Sequence, residues 1–375
     1  MGLFSLNVVS AVMSGLGKDM ARRIVDTKGE IRIYHRDFSP ILHYSVLMDS
    51  LQQKYPEIVA IGGVSKNDFL LRRRHFTAYT ENFSIDYHRH QAINNIFHQL
   101  RIGEIDESAF QDKGIIIGLE TAFSLIATVG DSVDIVSPSI LVPTPLGLLP
   151  KTEKYRVVGI FLTGLPEYDN LYSFIDHQGS EGFRRHSGVD FLEVKTKIKS
   201  TKFGKFVKQI EKDFPHLRAE HWEIFDKTLF QAIKVEKIAL FSVMAIIIIL
   251  ASFNVTGNFI RTVTEKKTEI SLLHTLGMPK KEIFALFINM GLMISTVAVI
   301  MANILSCTAI LLQAKFEVLK IPIPGFPFTA VPVDFSILRL FLFSLMTVMI
   351  CLLGSLYPAY KTMTMNIIDV LHQEE

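Results

Sequence analysis

The feature that most constrains this chain is a run of twenty-three residues without a charged side chain, from Ile238 to Ile260. A helix rises about 1.5 Å per residue, so a helix of this length crosses the ~30 Å hydrocarbon core of a bilayer. We therefore predict a transmembrane helix over residues 237–260. The chain is expected to be a membrane protein, and the other segments are assigned relative to this helix.

Two later runs have the same character. Residues 283–314 contain no charged side chain, and as a helix they would measure about 48 Å, so this helix must tilt or project beyond the bilayer. Residues 340–356 are also uncharged. We predict transmembrane helices over residues 283–312 and 335–357, with the long side chain of Arg339 reaching the outer interface.

The charges between these helices indicate the orientation of the chain. The loop at residues 261–282 carries five cations, whereas the proline-rich connector at residues 313–334 carries two lysines. Loops rich in Lys and Arg face the cytoplasm, so we place the loop and the tail at residues 358–375 inside and the connector outside. Within the loop, an apolar stripe followed by Gly277 predicts a short cytoplasmic helix. The stripe consists of Ile270, Leu273 and Leu276.

The N-terminal segment is apolar but short. As a helix, residues 1–16 span only about 24 Å, and no basic residue precedes them as in a signal peptide. We interpret residues 1–23 as the remnant of a first transmembrane helix whose beginning is missing from this sequence. The alternative is a short apolar segment lying in the membrane interface. The expected fold is a multi-pass α-helical membrane protein with four transmembrane helices, the first of them incomplete.

Residues 24–236 are expected to form a large α+β domain outside the membrane, with one core or two small subdomains. Period-two patterns predict strands, and apolar stripes predict helices. The predicted strands are Gly29–Tyr34, Gly114–Gly118, Ser132–Val136, Tyr155–Phe161 and Val189–Lys195; the predicted helices are Tyr44–Lys54, Glu120–Thr128 and one from Phe203 that ends before Pro215. A last stripe, from Trp222 to Ile233, predicts one unbroken helix leading into the transmembrane helix at residue 237.

The segment at residues 141–154 is apolar but interrupted by three prolines and a glycine. Because proline lacks an amide donor, we expect this segment to avoid regular sheet pairing and to form a stiff projecting loop. Such a loop either folds back on its own domain or offers its leucines to another protein. Those leucines are Leu146, Leu148 and Leu149.

Catalytic functions are not indicated. The chain lacks the motifs G-x-x-x-x-G-K-[ST], G-x-S-x-G and H-E-x-x-H, so it is not expected to hydrolyse ATP itself, and no cofactor is expected. His88 and His90 would share one face of a strand, but no third ligand can be placed, and we interpret them as surface histidines without a metal. Both cysteines, Cys307 and Cys351, lie in apolar runs, so no disulfide framework is predicted in the polar region.

Charge excludes a further class of function. The net charge of +2 is too small to indicate nucleic-acid binding. The basic run at residues 72–74 is interpreted as a solvated edge, and the alternative is contact with anionic lipid or an acidic partner.

Several segments resemble one family in their order along the chain. They are SAVMSGLGKDM (10–20), GIIIGLETAFSLIATVGDSVDIVSP (114–138), YRVVGIFLTGLPEYDN (155–170), LFQAIKVEKIALF (229–241), EKKTEISLLHTLGM (265–278) and LYPAYKTMTMNIIDVLH (356–372). Together they resemble the lipoprotein-releasing LolC/LolE permeases, within a superfamily that includes MacB and FtsX.

The resemblance implies a permease subunit of an ABC transporter in the bacterial inner membrane. It would pair with a second permease, homologous or identical, and with two copies of a separate ATPase. The assembly would extract lipoproteins from the membrane and pass them to a periplasmic carrier, and residues 24–236 would be a MacB-like periplasmic domain. The implied ATPase-coupling residues are Glu265, Glu269, Leu273, His274 and Gly277; the implied carrier-docking residues are Pro143, Pro145, Leu146, Leu148 and Pro150.

Two alternatives remain open. One is a MacB-like or FtsX-like permease that transmits motion to an efflux system or a cell-wall hydrolase. The other is a membrane-anchored sensor without an ATPase. Residues 180–188 (SEGFRRHSG) match neither a LolC nor a LolE pattern, so the sequence does not distinguish a heterodimeric from a homodimeric permease.

Overall fold

The computed structural model describes residues 2–145, 147–184, 186–320 and 330–364. The described chain divides into two compact units. The helical unit comprises residues 2–18, 231–320 and 330–364, and the α+β unit comprises the described residues between 19 and 230. An α+β region and a separate set of apolar helices are therefore both present, as expected.

The described residues contain twelve α-helices and ten strands. The helices are α1 (Gly2–Lys28), α2 (Tyr44–Lys54), α3 (Tyr87–Ile93), α4 (Glu107–Gln111), α5 (Leu119–Leu125), α6 (Pro166–Leu171), α7 (Phe203–Asp213), α8 (Trp222–Phe225), α9 (Lys227–Glu265), α10 (Lys267–Thr275), α11 (Lys280–Phe316) and α12 (Ile337–Thr364). The strands are β1 (Ile31–His35), β2 (Ile58–Arg73), β3 (Phe76–Ile85), β4 (Leu100–Ile102), β5 (Gly114–Gly118), β6 (Ser132–Thr144), β7 (Gly147–Phe161), β8 (Tyr172–Asp176), β9 (Phe191–Thr196) and β10 (Leu217–His221).

The strands form one sheet that partly closes on itself. Its order is β10-β1-β9-β2-β3-β8-β5-β7-β4, and β6 pairs with both β2 and β7. The pairings β2–β3–β8–β5–β7–β6–β2 therefore form a closed ring. The long strand β2 makes this possible, because its first half pairs with β9 and its second half pairs with β6. Strands β9, β1 and β10 extend from the ring as an open wing.

Two buried clusters stabilise this sheet, so the expectation of one core or two is resolved as two cores within one unit. The ring cluster uses alternate residues of its strands, such as Phe69 and Leu71 on β2 and Ile115 and Ile117 on β5. Period-two alternation places each set on one face of the sheet. The second, larger cluster packs α2 and α7 against the wing, with Ile33 of β1 fully buried.

Most predicted elements of the α+β unit are confirmed, but several strands were missed. Helix α2 and strand β5 have the predicted bounds, and β1, β9, α5 and α7 differ from their predictions by a few residues. Strand β3 was missed because one of its buried faces carries polar side chains where an apolar stripe would be expected. Thr80 and Asn82 of β3 are buried, and both lie 3.0 Å from the hydroxyl of Ser173 on the neighbouring β8.

The helix predicted to run unbroken from Trp222 into the membrane segment is interrupted once, at Asp226, and is continuous from Lys227 to Glu265. Helix α8 ends at Phe225, Asp226 has a non-helical ψ of 39°, and α9 begins at Lys227. The Asp226 carboxylate accepts hydrogen bonds of 2.7 Å from both Lys28 and the Tyr168 hydroxyl. These two bonds hold Asp226 at the break between the helices. Burial lowers the pKa of Lys28 to about 8 despite the ion pair.

Helices α9 and α11 extend beyond the predicted spans at both ends, whereas α12 begins two residues after its predicted start and extends beyond its predicted end. Among the described residues, two segments have the length and hydropathy of membrane spans, Lys281–Phe316 and Ile337–Leu356. Parts of the predicted connector and tail, residues 321–329 and 365–375, lie outside the described residues.

Buried polar side chains connect the helices of this unit. Asn7 of α1 donates to Asn303 of α11 at 3.1 Å, and Asn303 donates to Ser344 of α12 at 2.8 Å. Hydrogen bonds of this kind stabilise helix association in an apolar medium. Arg339, which is expected to reach the outer interface, forms an ion pair of 2.6 Å with Asp334.

The proline-rich segment is a regular hairpin, so the expectation that its prolines prevent sheet pairing is wrong. We call residues 141–150 the arm. It pairs Leu141 with Pro150, Val142 with Leu149, Pro143 with Leu148 and Thr144 with Gly147. The two prolines occupy pairs that lie two positions apart, so both belong to the same class of antiparallel pair. That class must be the one whose amides point outward, because proline cannot donate to the ladder.

The arm register yields a prediction from two adjacent leucines. Leu149 lies in the intervening, hydrogen-bonded pair, so Leu149→Pro should remove a cross-strand hydrogen bond and open the arm. Leu148→Pro is the matched control, because its amide points outward. We expect at least about tenfold faster hydrogen exchange at arm amides in Leu149→Pro only, corresponding to about 1.4 kcal/mol of lost local stability. Equal exchange in the two variants would contradict the register.

A close backbone contact joins residues 114–138 and 155–170, two of the segments that resemble the LolC/LolE family. A Cβ at Gly118, at the end of β5, would lie 2.0 Å from the carbonyl oxygen of Asp169. The carboxylate of Asp169 accepts hydrogen bonds from the amides of Thr163 (2.7 Å) and Gly164 (3.0 Å). These bonds attach Asp169 to the turn after β7 and thereby hold its carbonyl oxygen close to Gly118.

We therefore predict that Gly118→Ala destabilises the α+β unit by about 2–3 kcal/mol, the usual cost of overpacking. Gly204→Ala is the control, because a Cβ in this first turn of α7 meets nothing within 4 Å. Alanine at position 204 should be neutral or should stabilise the unit by up to about 1 kcal/mol. Thermal unfolding of the full chain in detergent measures both, and equal midpoints would refute the close contact.

Candidate functional site

The arm exposes apolar side chains on both faces, and its register sorts them. Directly paired residues lie on the same face and neighbours along a strand on opposite faces. Leu141, Pro143, Leu148 and Pro150 therefore share one face, which we call the proline face. Its two leucines are 52% and 65% exposed, respectively. On the opposite face, Val142 and Leu149 are less exposed.

The structure brings together three of the five predicted docking residues. Pro143, Leu148 and Pro150 lie on the proline face, Pro145 lies at the turn, and Leu146 lies outside the described residues. Sequence reasoning missed Leu141. Its position opposite Pro150 could have been found by extending the β6 pattern past the prolines into a hairpin.

The base of the arm is braced by the segment that the sequence left unassigned. Phe183 is fully buried, with its ring 4.9 Å from that of Phe69. Lys151, directly after the arm, donates to the carbonyl of Gly182 at 2.6 Å and pairs with Glu153 at 3.0 Å. These contacts indicate that residues 180–183 support the arm where it leaves the ring.

The second candidate surface is the short helix α10 between α9 and α11. The prediction of a short helix in this loop is confirmed, since α10 spans Lys267–Thr275. The helix ends because Gly277 adopts a left-handed φ of 96°, and the amide of Met278 bonds to the carbonyl of Leu273 at 3.1 Å. This is the termination that a C-terminal glycine allows. Gly277 therefore has a structural role in positioning α10.

Helix α10 has a buried side and an exposed side. Ile270 packs with Val263 of α9 and Ile283 of α11, and all three are buried. Leu273 lies on the exposed side, and Leu276, directly after the helix, is 77% exposed. Leu276 was part of the predicted stripe but was not selected as a coupling residue. Leu273 and Leu276 therefore make this surface a candidate for contact with another molecule.

The other predicted coupling residues surround these leucines. Glu265 pairs with Arg261 at 2.7 Å, and Glu269 pairs with Lys266. All four charged side chains are exposed, so these pairs contribute little to stability. The side chain of His274 lies outside the described residues.

The prediction that His88 and His90 share one face of a strand is wrong, and only His88 is a surface histidine. His88 and His90 lie on α3, which begins because the Asp86 side chain caps the amide of Arg89. His88 is exposed and pairs with Glu107 at 2.7 Å, whereas His90 is fully buried. Burial lowers the pKa of His90 to about 4. Among the described residues, no group of His, Cys, Asp and Glu could hold a metal ion.

The basic run at the end of β2 is engaged within its own unit. Arg72 pairs with Asp134 at 3.2 Å, and Arg73 pairs with Asp131 at 2.8 Å and also donates to the carbonyl of Ile126. These contacts fix the β2–β3 hairpin beside β6. They give both arginines a structural role.

Comparison with known proteins gives a family model that matches the C-terminal part of the chain and relatives that match most or all of its length. Residues 241–367 match the family model described as FtsX-like permease C-terminal. The lipoprotein-releasing system transmembrane protein LolC of Xylella fastidiosa (strain 9a5c) is 23% identical over 386 residues, covering 100% of this chain and 92% of that protein. LolC of Neisseria meningitidis serogroup B is 24% identical over 78% of this chain and 70% of its own length.

Two solved structures are similar to part of the chain. The periplasmic region of MacB from Actinobacillus actinomycetemcomitans covers 55% of this chain and 94% of its own, with a TM-score of 0.37 and 12% identity. The extracellular domain of the ABC-type transporter YknZ covers 51% of this chain and 98% of its own, with a TM-score of 0.36 and 8% identity. The assignment therefore rests on the sequence matches: full-length similarity to LolC proteins, together with the FtsX-like permease domain, supports placing this chain among the LolC/LolE family permeases.

Proposed function

We propose that this chain is a permease subunit of an ABC transporter that extracts lipoproteins from the inner membrane and passes them to a periplasmic carrier. The observation that carries the proposal is the full-length similarity to LolC proteins of lipoprotein-releasing systems. In this proposal a second permease subunit and two copies of a separate ATPase complete the assembly. The chain crosses the membrane four times, with α1, α9, α11 and α12, and the α+β unit is periplasmic.

The charges of the described helix ends support this orientation. Helix α10 and the ends of its neighbours contribute Arg261, Lys266 and Lys281 to one side of the membrane. The other ends of α11 and α12 carry or adjoin Lys315, Lys320 and Arg339, against the five cations that residues 261–282 hold around α10. The excess of cations around α10 supports a cytoplasmic position, where an ATPase subunit could reach it.

Helix α10 is suited to transmit movement of an ATPase to the membrane helices. Its exposed leucines offer apolar area to a groove, and each leucine contributes about 1.5–3 kcal/mol when fully buried. Its buried side, through Ile270, contacts both α9 and α11. A displacement of α10 by the ATPase would therefore be transmitted to two membrane helices together.

We predict that Leu273→Asn with Leu276→Asn uncouples the chain from its ATPase. Both leucines would be buried against the ATPase in the complex. Their loss should weaken association by on the order of a hundredfold, measured as ATPase co-purifying with the full-length chain. The control is Thr268→Asn, another exposed position on α10. Membrane insertion should be unchanged in both. Undiminished co-purification of the ATPase with the double variant would contradict the proposal.

The proline face of the arm is proposed as the docking surface for the periplasmic carrier. It presents two exposed leucines held in place by two prolines of fixed φ. Such a preorganised apolar surface binds with little loss of conformational entropy. The arm is also braced at its base by residues 180–183, which keeps it extended.

The two faces of the arm allow a matched test. Leu141→Ser with Leu148→Ser should abolish capture of the carrier by the full-length chain, while leaving ATPase co-purification intact. Val142→Ser with Leu149→Ser alters the opposite face of the same hairpin and should reduce capture by no more than about threefold. Equal effects of the two double variants, or no effect of the first, would reject docking through the proline face.

A further inference from the structure

A cavity of about 830 Å³ at the edge of the wing is lined by five lysines, and nothing in the proposed transport function uses it. Lys54 ends α2, Lys197 and Lys199 follow β9, and Lys202 and Lys205 lie at the start of α7. The cavity lies within the size range of small-molecule sites. Three separate parts of the chain therefore bring cations to one concave surface.

The positive charge of this cavity is only partly balanced. Lys54 forms an ion pair with Asp213 at 3.1 Å, and the Tyr55 hydroxyl donates to the same carboxylate at 2.8 Å. These contacts hold the pKa of Asp213 below its usual range. Asp213 is thus ionised and already compensated. The remaining acidic group that lines the cavity is the carboxylate of Glu57.

The other four lysines have no ion pair among the described residues: Lys197, Lys199, Lys202 and Lys205. The whole chain has 39 basic and 37 acidic side chains, so four uncompensated lysines at one site are not a consequence of composition. They are also not needed for packing, since α7 contacts the core through Phe203, Phe206, Val207 and Ile210. Like charges that converge on a cleft raise the local concentration of anions.

The start of α7 adds to the positive potential. Lys202 occupies the N-cap position, and its side chain makes no capping hydrogen bond. The N-terminal end of a helix carries a partial positive charge and favours phosphate groups. The lysine side chains supply flexible point charges of the kind that bind phosphate.

The floor of the cavity is apolar. Tyr55 and Phe206 are buried and pack edge to face, with ring centroids 5.3 Å apart, and the half-buried Ile198 lies beside them. We propose that the cavity binds a ligand bearing a phosphate group, with the phosphate on the four uncompensated lysines and the organic part on this floor. The inference is independent of lipoprotein transport.

The test uses the full-length chain in an uncharged detergent, titrated by calorimetry with two probes. One probe is pyrophosphate, and the other is short-chain phosphatidylglycerol below its critical micelle concentration. Lys199→Gln with Lys202→Gln should weaken saturable binding by at least about tenfold, because each removes a charge-assisted contact. Lys208→Gln with Lys212→Gln changes the net charge equally on α7 but outside the cavity, and should have an effect within about twofold.

Each outcome has a defined meaning. Comparable binding of both probes, lost in the cavity variant alone, supports a phosphate site open to soluble ligands. Binding of phosphatidylglycerol alone, lost in the same variant, supports a lipid headgroup as the source of the phosphate. Absence of saturable binding of either probe, or an equal loss in both variants at unchanged thermal stability, overturns the proposal.

Discussion

The α+β unit depends on one buried ion pair, between Lys28 and Asp226. Lys28 is the last residue of α1, and Asp226 directly precedes α9. The pair is surrounded by aromatic rings, with the Lys28 ammonium 4.3 Å from the ring centre of Tyr168. Removing one partner of such a pair leaves a buried charge and costs about 3–5 kcal/mol. The C-terminal end of α1 and the N-terminal end of α9 are therefore fixed to each other.

A second buried ion pair extends this arrangement into the wing. Arg32 of β1 pairs with Glu193 of β9 at 2.8 Å, and its guanidinium also lies 4.7 Å from the ring of Phe225. Phe225 is the last residue of α8, one position before Asp226. The helix break is thus held from both sides, by a lysine from α1 and by an arginine from the sheet. Buried charges with this many partners specify one arrangement of the chain.

The sequence was sufficient for the general architecture and for the helix α10, and the reasons are physical. Uncharged runs of membrane length and a glycine after a short apolar stripe are local signals, and neither depends on distant residues. The ring closure could not be predicted, because it depends on β6 pairing with β2 across more than sixty positions. The break at Asp226 could not be predicted either, because the groups that hold it, Lys28 and Tyr168, are remote in sequence.

The arm shows how a correct observation led to a wrong structure. Pro143 and Pro150 do exclude hydrogen bonding at their own positions, but the register places both outward, where no donor is required. Each edge of the arm therefore lacks one of the amides to which a further strand would bond. Edge strands without such donors resist uncontrolled assembly into larger sheets. A molecule that recognises this hairpin must consequently read its side chains, and the arm can remain exposed and apolar without acting as a template for aggregation.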